Sequence, residues 1–147
     1  MKMLKGIILR DYADAPYATW VSEGVKTIET RKWATKHRGD LVICCSNGSE
    51  SPNRGLVLCI VELYHIEPMI PEHELEACCR IYPNAKSWHI RNLRRFVKPF
   101  PTKGHIVGGS PQSIFEIEIP DDAVALYKET AKDHHHFIKP QTLFSNE

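Results

Sequence analysis

The chain has 147 residues, with 19 Lys+Arg against 18 Asp+Glu, for a formal net charge of +1. That length suits one domain that can bury a core without disulfides or metal, and 42% hydrophobic with 25% charged residues excludes disorder, coiled coil and collagen. No apolar run approaches the ~18 residues of a membrane span, and the near-balanced charge excludes a uniformly basic coat for nucleic acid.

The first residues, Met1-Lys2-Met3-Leu4-Lys5, lead straight into a strand pattern without a signal-peptide core or cleavage site, so a cytoplasmic protein is expected. Leu4–Arg10 reads as the first strand, with Ile7, Ile8 and Leu9 aliphatic. Asp14-Ala15-Pro16 signals a helix start, a capping-type Asp with Pro close to the first helical position. Gly24 is its stop, leaving a short helix over Tyr17, Ala18, Trp20 and Val21. Strands follow at Ile28–Arg31, Leu41–Ser46 and Gly55–His65; in the last, the unbroken run Leu56-Val57-Leu58-Cys59-Ile60-Val61 predicts burial on both faces.

Pro71-Glu72-His73-Glu74 opens a helix whose Leu75, Cys78, Cys79 and Tyr82 follow the i, i+3, i+4, i+7 spacing and face the core. Ser87–Phe96 and Gly104–Val107 are further strand candidates. Ile114–Ile119 alternates, with Phe115, Ile117 and Ile119 on one side and Glu116 and Glu118 on the other. Asp121 or Asp122 caps a final helix through Tyr127 and Ala131. Strands outnumber helices and turn signals recur at short intervals, so the expected fold is α+β, a small mixed β-barrel with peripheral helices. One domain over residues 1–133 and a polar tail over 134–147 are expected.

Five cysteines stand as Cys44-Cys45, Cys78-Cys79 and Cys59, an odd number with no C-x-x-C, which points to neither a disulfide framework nor a zinc site. Reduced, mostly buried thiols are expected. The run His134-His135-His136 is read as solvated tail, and Glu72, Glu74 and Glu76 as complements to a helix N-terminus. Gly104–Gly109 lacks the G-x-G-x-x-G register and is read as a turn. No metal and no cofactor is expected, and no pattern in the chain specifies an oligomeric state.

The densest run of reactive side chains is Gly24-Val25-Lys26-Thr27-Ile28-Glu29-Thr30-Arg31-Lys32-Trp33. On a strand, Thr27, Glu29 and Arg31 share one face and Ile28 points into a core. Lys26 sits where helix passes to strand and is free to turn toward the same side. A lysine, a glutamate and an arginine this close form either a structural ion pair or a site in which Glu29 and Arg31 restrain and tune Lys26.

This run resembles the ASCH family, the activating signal cointegrator homology domains of the PUA-like superfamily. The resembling residues are Pro16-Tyr17-Ala18, then Gly24-x-Lys26-Thr27-x-Glu29-x-Arg31-x-Trp33, then Thr35-x-x-Arg38-Gly39-Asp40-Leu41-x-Ile43. Gly55–Val61, Trp88-His89-Ile90-Arg91-Asn92-Leu93 and Phe100-Pro101-x-Lys103-Gly104 match more loosely, so the likeness spans Leu4 to Ile119. The resemblance implies a PUA-like barrel with a cleft beside the Pro16–Glu23 helix. It implies that Lys26, Glu29 and Arg31 line that cleft, which is proposed in the family to receive RNA or a nucleotide. Some relatives resemble hydrolases that deacylate a modified cytidine with a Lys and a Thr three residues later. Here that second position is Glu29, with Thr27 and Thr30 out of register. A carboxylate acts instead as a base, toward water or a ribose 2′-hydroxyl, while Lys26 and Arg31 hold phosphate charge.

The +1 total conceals segregated charge. Residues 26–40 carry Lys26, Arg31, Lys32, Lys36 and Arg38 against Glu29 and Asp40; residues 86–105 carry Lys86, Arg91, Arg94, Arg95, Lys98 and Lys103 without an acid. Glu62, Glu67, Glu72, Glu74 and Glu76 form a purely acidic stretch, as do Glu116, Glu118, Asp121 and Asp122. The basic stretches suit phosphate contacts, or else solvated faces paired with the acidic ones. Trp20 is expected in the core and Trp33 beside the cleft, while Trp88 is either a stacking surface or a core residue. The first expectation is a binder of RNA or a modified nucleotide through Lys26, Glu29, Arg31, Lys32, Trp33, Lys36, Arg38, Trp88, Arg91, Arg94 and Lys103. The alternative is a hydrolase of the same cleft, a ribonuclease or acylcytidine amidohydrolase, with Lys26 and Glu29 catalytic. A protein-interaction module is a third reading.

Overall fold

A computed structural model describes residues 2–110 and 112–128. Eight strands form one sheet: β1 (Lys2–Leu9), β2 (Ile28–Arg31), β3 (Gly39–Cys45), β4 (Leu56–Pro68), β5 (Lys86–Pro101), β6 (Ile106–Gly109), β7 (Phe115–Ile119) and β8 (Ala125–Tyr127). Their order is β2-β5-β4-β3-β1-β7-β6, with β8 on β5. β1 and β3 run parallel, and the other pairs are antiparallel. The crossover between β1 and β3 carries helix α1 (Tyr17–Ser22) and β2, as a parallel pair requires a long connection.

The ladder is open. β2 and β6, at the two ends of the path, are each four residues long and pair along one side, so no hydrogen-bonded seam closes the expected barrel among the described residues.

Both faces of the central strands are dry. On β3, Leu41, Ile43 and Cys45 enter one core cluster with Ile7, Leu9, Ala18, Val21, Val61, Leu63 and Trp88. Val42 and Cys44 enter another with Val57, Ile60, Phe96, Phe115 and Ile117. The period-2 alternation of a strand therefore explains the adjacent pair Cys44-Cys45: the thiols lie on opposite faces, each fully buried. Each fully buried aliphatic side chain is worth roughly 1.5–3 kcal/mol, against about 0–1 kcal/mol for an exposed ion pair such as Lys5–Glu116 at 3.6 Å. The two clusters hold the fold. Gly6 lets β1 pass close to Phe115, whose ring carbon would stand 2.8 Å from an added Cβ.

Two expected helices are corrected. The segment from Pro71 forms a 3-10 turn, Pro71–His73, and then a single helical turn, α2 (Glu74–Ala77). Cys78 stops it with φ 58°, in the left-handed region, and Leu75 is exposed rather than core-facing. The last carbonyls of α2 do not await a next turn. The Thr27 N–H donates to Glu76 O at 2.9 Å and Lys26 Nζ donates to Ala77 O, which satisfies acceptors that every helix end leaves open. Pro83 then holds Tyr82 out of helical geometry.

The expected helix from Asp121 or Asp122 is instead a turn and then β8, up to the last described residue; Ala131, the His134–His136 run and the tail lie outside the described residues. β5 is 16 residues long and β2 covers only four of them, so β8 pairs with the remaining edge at Arg94, Arg95 and Phe96. The glycine-containing stretch read as a turn is largely strand β6. No helix among the described residues is long and apolar enough to cross a membrane.

Candidate functional site

A cleft of about 460 Å³ opens where β1, α1 and β2 meet the chain after α2. Its lining includes Arg10, Tyr12, Tyr17, Lys26, Glu29, Thr30, Arg31, Cys79 and Tyr82. Local chemistry explains how they converge. Asp11, fully buried just after β1, takes the Thr19 N–H at 3.0 Å and the Thr19 hydroxyl at 2.5 Å, tying down the first turn of α1 and with it Tyr17. This cap comes from Asp11, not from the expected Asp14; Pro16, at the cap position itself, supplies no side-chain bond. Gly24, at φ +80°, then reverses the chain, and the Val25 and Lys26 N–H groups both donate to Trp20 O. The turn delivers Lys26 to the cleft floor.

Lys26 is 2% exposed. Its ammonium is held by Ala77 O, by Glu29 Oε1 at 3.6 Å and by the face of Tyr17, 5.0 Å to the ring centroid. Glu29, also buried, shares its other oxygen with Arg31 Nε at 2.7 Å, while Arg31 Nη2 donates to Ile8 O at 2.8 Å. One carboxylate thus faces two fixed cations, with the Arg10 guanidinium also on the cleft wall. The surplus is positive, so the cleft favours an anionic group and repels a metal ion.

The aromatic walls stay neutral. Burial raises the phenol pKa values of both Tyr17 and Tyr82 above the ordinary value, with the nearby Cys79 adding to each. They remain protonated, with ring faces for stacking and hydroxyls for hydrogen bonding. Burial also pushes the Cys78 thiol up to about 11, against the pull of Lys26. Cys44 is pushed to about 12 and Cys59 higher still, so these thiols are protonated at neutral pH and unsuited to nucleophilic work. The five cysteines are all free.

Of the residues singled out from the sequence, Lys26, Glu29 and Arg31 come together in this cleft. Lys32, Lys36 and Arg38 are exposed on the connection from β2 to β3, where Arg38 donates to the Thr35 and His37 carbonyls. Trp33 is half-buried, edge-on to Trp88 at 4.9 Å, and its carbonyl takes the Trp88 indole N–H. Trp88 is fully buried, which corrects its reading as a stacking surface: no face is open to a base. Trp20, expected in the core, is only half-buried, edge-on to Tyr17. Lys103 is exposed in the turn before β6.

Arg91 and Arg94 are engaged elsewhere. The β4–β5 ladder sets Glu62 opposite Arg91, with N–O at 3.0 Å, and Arg94 forms a two-pronged contact with Asp40 at 2.7 and 3.1 Å. The Arg94 hydrogen bonds hold the Asp40 carboxyl below its ordinary value of 3.8 despite partial burial. A depressed folded-state pKa means the unfolded chain takes up the proton first. The stabilisation is present above the unfolded value and is lost as pH falls through the folded one. Asp40→Asn should therefore be less stable than the parent at neutral pH, with the gap closing in acid below the ordinary value. Urea midpoints measured against pH check this, and a gap independent of pH refutes it.

The sequence did not single out Tyr12 or Arg10, and it assigned Cys79 and Tyr82 to a core helix. Tyr17 stood within the family motif. Tyr82-Pro83 carried a usable signal, since a residue before proline is driven to extended geometry and leaves a helix. For Tyr12 and Arg10, no local pattern predicts that the turn after β1 folds against β2.

Comparisons with known proteins bear on the fold and the family. No curated protein matches the chain. A solved structure of an ASCH protein from Zymomonas mobilis, a tyrosine-to-phenylalanine mutant, is similar over 96% of both chains, with a TM-score of 0.50 at 14% identity. That likeness concerns the fold. The family model for the ASCH domain matches residues 13–100, which include α1, Lys26, Glu29, Arg31 and Tyr82. The chain therefore belongs to the ASCH family.

Proposed function

We propose that this ASCH protein binds RNA, seating one nucleotide, modified or not, in the cleft lined by Lys26, Glu29 and Arg31. The observation that supports this reading best is the pairing of surplus positive charge with aromatic walls in one cleft of nucleotide size. Arg10 and Arg31 favour the phosphate. The exposed Tyr12 offers a base the ring face that Arg10 leaves open, while Tyr17 holds Lys26 against its own ring. The exposed Lys32, Lys36 and Arg38 extend the path for flanking phosphates. Lys103 adds a further exposed cation, while Arg91, Arg94 and Trp88 are engaged in contacts of their own.

Single-stranded oligoribonucleotides titrated over a salt series test this. Affinity should fall with a log–log slope of about −0.7 per phosphate contact, and Lys32→Ala with Lys36→Ala should flatten the slope by about that amount each. Tyr12→Ala, at a side chain 43% exposed, should weaken binding by about 1–3 kcal/mol through lost stacking. A flat salt response, or no binding at low salt, overturns the reading.

A hydrolase of the same cleft is the second reading, favoured by the placement of Glu29 beside a fixed ammonium at 3.6 Å. Glu29 would act as the base toward water or a 2′-hydroxyl, and Lys26 with Arg31 would hold the developing charge. Turnover of labelled RNA or of an acylated cytidine by the purified chain supports it; both substrates left intact at stoichiometric protein refute it.

A further inference from the structure

A second constellation lies apart from the cleft and shares no residue with it. His65 and Glu67 stand two apart on β4, hence on one face, and His89 pairs with His65 across the ladder from β5. A register shift between Leu63 and His65 re-aims this end of β4, as bulges beside sites do. The 3-10 turn before α2 then brings in His73. The three imidazole Nε2 atoms all point at a single oxygen, Glu67 Oε2: His89 at 2.7 Å, His73 at 3.5 Å and His65 at 3.8 Å. The ligating atoms of Glu67, His73 and His89 lie within 4.8 Å of one another.

Hydrogen bonding explains only part of this convergence. The 2.7 Å contact is a hydrogen bond, whereas 3.5 and 3.8 Å exceed what an N–H···O bond spans. Tetrahedral ligands at ~2.0–2.1 Å from a zinc-type ion stand roughly 3.3 Å from each other. The His89–Glu67 and His73–Glu67 spacings of 2.7 and 3.5 Å bracket that value. The shell behind the ligands fits as well. His73 Nδ1 lies 2.8 Å from Ser87 Oγ, an acceptor for Nδ1–H in the tautomer that leaves Nε2 as a lone pair. Ile70 N–H also approaches Nδ1, at 3.4 Å, a long contact that metal binding in that tautomer would break. His73 and Ser87 are buried, while His65 is exposed and gives the site access to solvent.

From this geometry we infer that His73, His89 and Glu67 bind a divalent transition-metal ion of the zinc type, with solvent in the fourth position and His65 at the exposed edge of the site. The sequence carried no sign of it, because the four side chains are scattered over 25 residues at spacings that match no zinc motif.

The test uses the full chain with His134, His135 and His136 replaced by alanine, so that the terminal run adds no second site. Zn²⁺ titration by calorimetry should give one ion per chain, and Co²⁺ should produce the intense visible absorption of a tetrahedral N/O site. His73→Ala, His89→Ala and Glu67→Gln should each weaken Zn²⁺ binding more than about 100-fold, and Ser87→Ala by about 10–100-fold. His65→Ala should weaken it less, and His105→Ala should leave it unchanged. Cooperative unfolding of each metal-free variant separates lost ligation from lost structure. If His73→Ala does not fold, His89→Gln and His65→Ala provide the comparison. Absence of saturable binding, weak octahedral absorption indifferent to these substitutions, or a thiolate-to-cobalt band placing the ion at cysteine overturns the inference.

Discussion

Replacing Asp11 by alanine should lower the unfolding free energy by about 2–4 kcal/mol. Asp11 is fully buried, and its carboxylate accepts from the Thr19 N–H at 3.0 Å, the Thr19 hydroxyl at 2.5 Å and the Ser51 hydroxyl at 2.6 Å. Its own N–H donates to Ser49 Oγ at 2.9 Å, and its carbonyl takes the Glu50 N–H. Hydrogen bonds to a charged acceptor contribute about 1.5–3 kcal/mol each, but these share one carboxylate and will not add in full. Alanine also strands the Thr19 N–H in the first turn of α1, a loss comparable to removing a good helix cap. Ser51→Ala deletes a single donor and should cost about 1 kcal/mol. The ranking Asp11→Ala well above Ser51→Ala, read from urea midpoints at unchanged m-value, is the decisive observation. A loss below about 1 kcal/mol for Asp11→Ala would show that water or neighbouring hydroxyls replace the carboxylate. Because α1 carries Tyr17, the same substitution should loosen the cleft and weaken binding of the proposed nucleotide.

This network also marks the limit of what sequence reasoning reaches. The run Gly24–Trp33 is legible because its logic is local: a glycine turn, then a strand whose alternation puts Glu29 and Arg31 on one side. The aliphatic run in β4 is legible for the same reason, and its burial on both faces is observed. Asp11 reads only as an acid after a strand, since its partners are 8 and 40 residues away. The residues of α2 satisfy helical periodicity, yet Thr27 and Lys26, from the turn before β2, consume the carbonyls on which another turn would depend for satisfaction. Charge segregation is visible along the chain, but its meaning depends on topology. Antiparallel pairing of β4 with β5 lays part of the acidic stretch against the basic one, so Glu62 meets Arg91 and Glu67 meets His89. The exposed lysines at 32, 36 and 103 remain outside that ladder and keep the charge available to a polyanion.

The largest single effect is expected at Glu29. Glu29→Gln removes the one carboxylate that lies between Lys26 and Arg31, leaving a 2%-exposed ammonium and a guanidinium to face each other. Removing one partner of a buried pair typically costs about 3–5 kcal/mol, because the remaining charge keeps its desolvation penalty without its counter-charge. The reciprocal substitution is milder. In Lys26→Met, Glu29 still holds Arg31 at 2.7 Å, and the main loss is the donor to the Ala77 carbonyl, worth about 1–2 kcal/mol. Chemical denaturation of both variants at neutral pH therefore distinguishes two pictures of the triad. If Glu29 is the electrostatic keystone, Glu29→Gln is the more damaging change by at least ~1 kcal/mol. If Lys26→Met proves the worse, the ammonium's contacts with Ala77 O and the Tyr17 ring dominate, and the triad is not centred on its carboxylate. The sign bears on the ligand too. A cleft that needs one carboxylate to tolerate its own two cations gains stability when an anion joins them, so phosphate or a nucleotide should raise the unfolding midpoint of Glu29→Gln more than that of the parent chain.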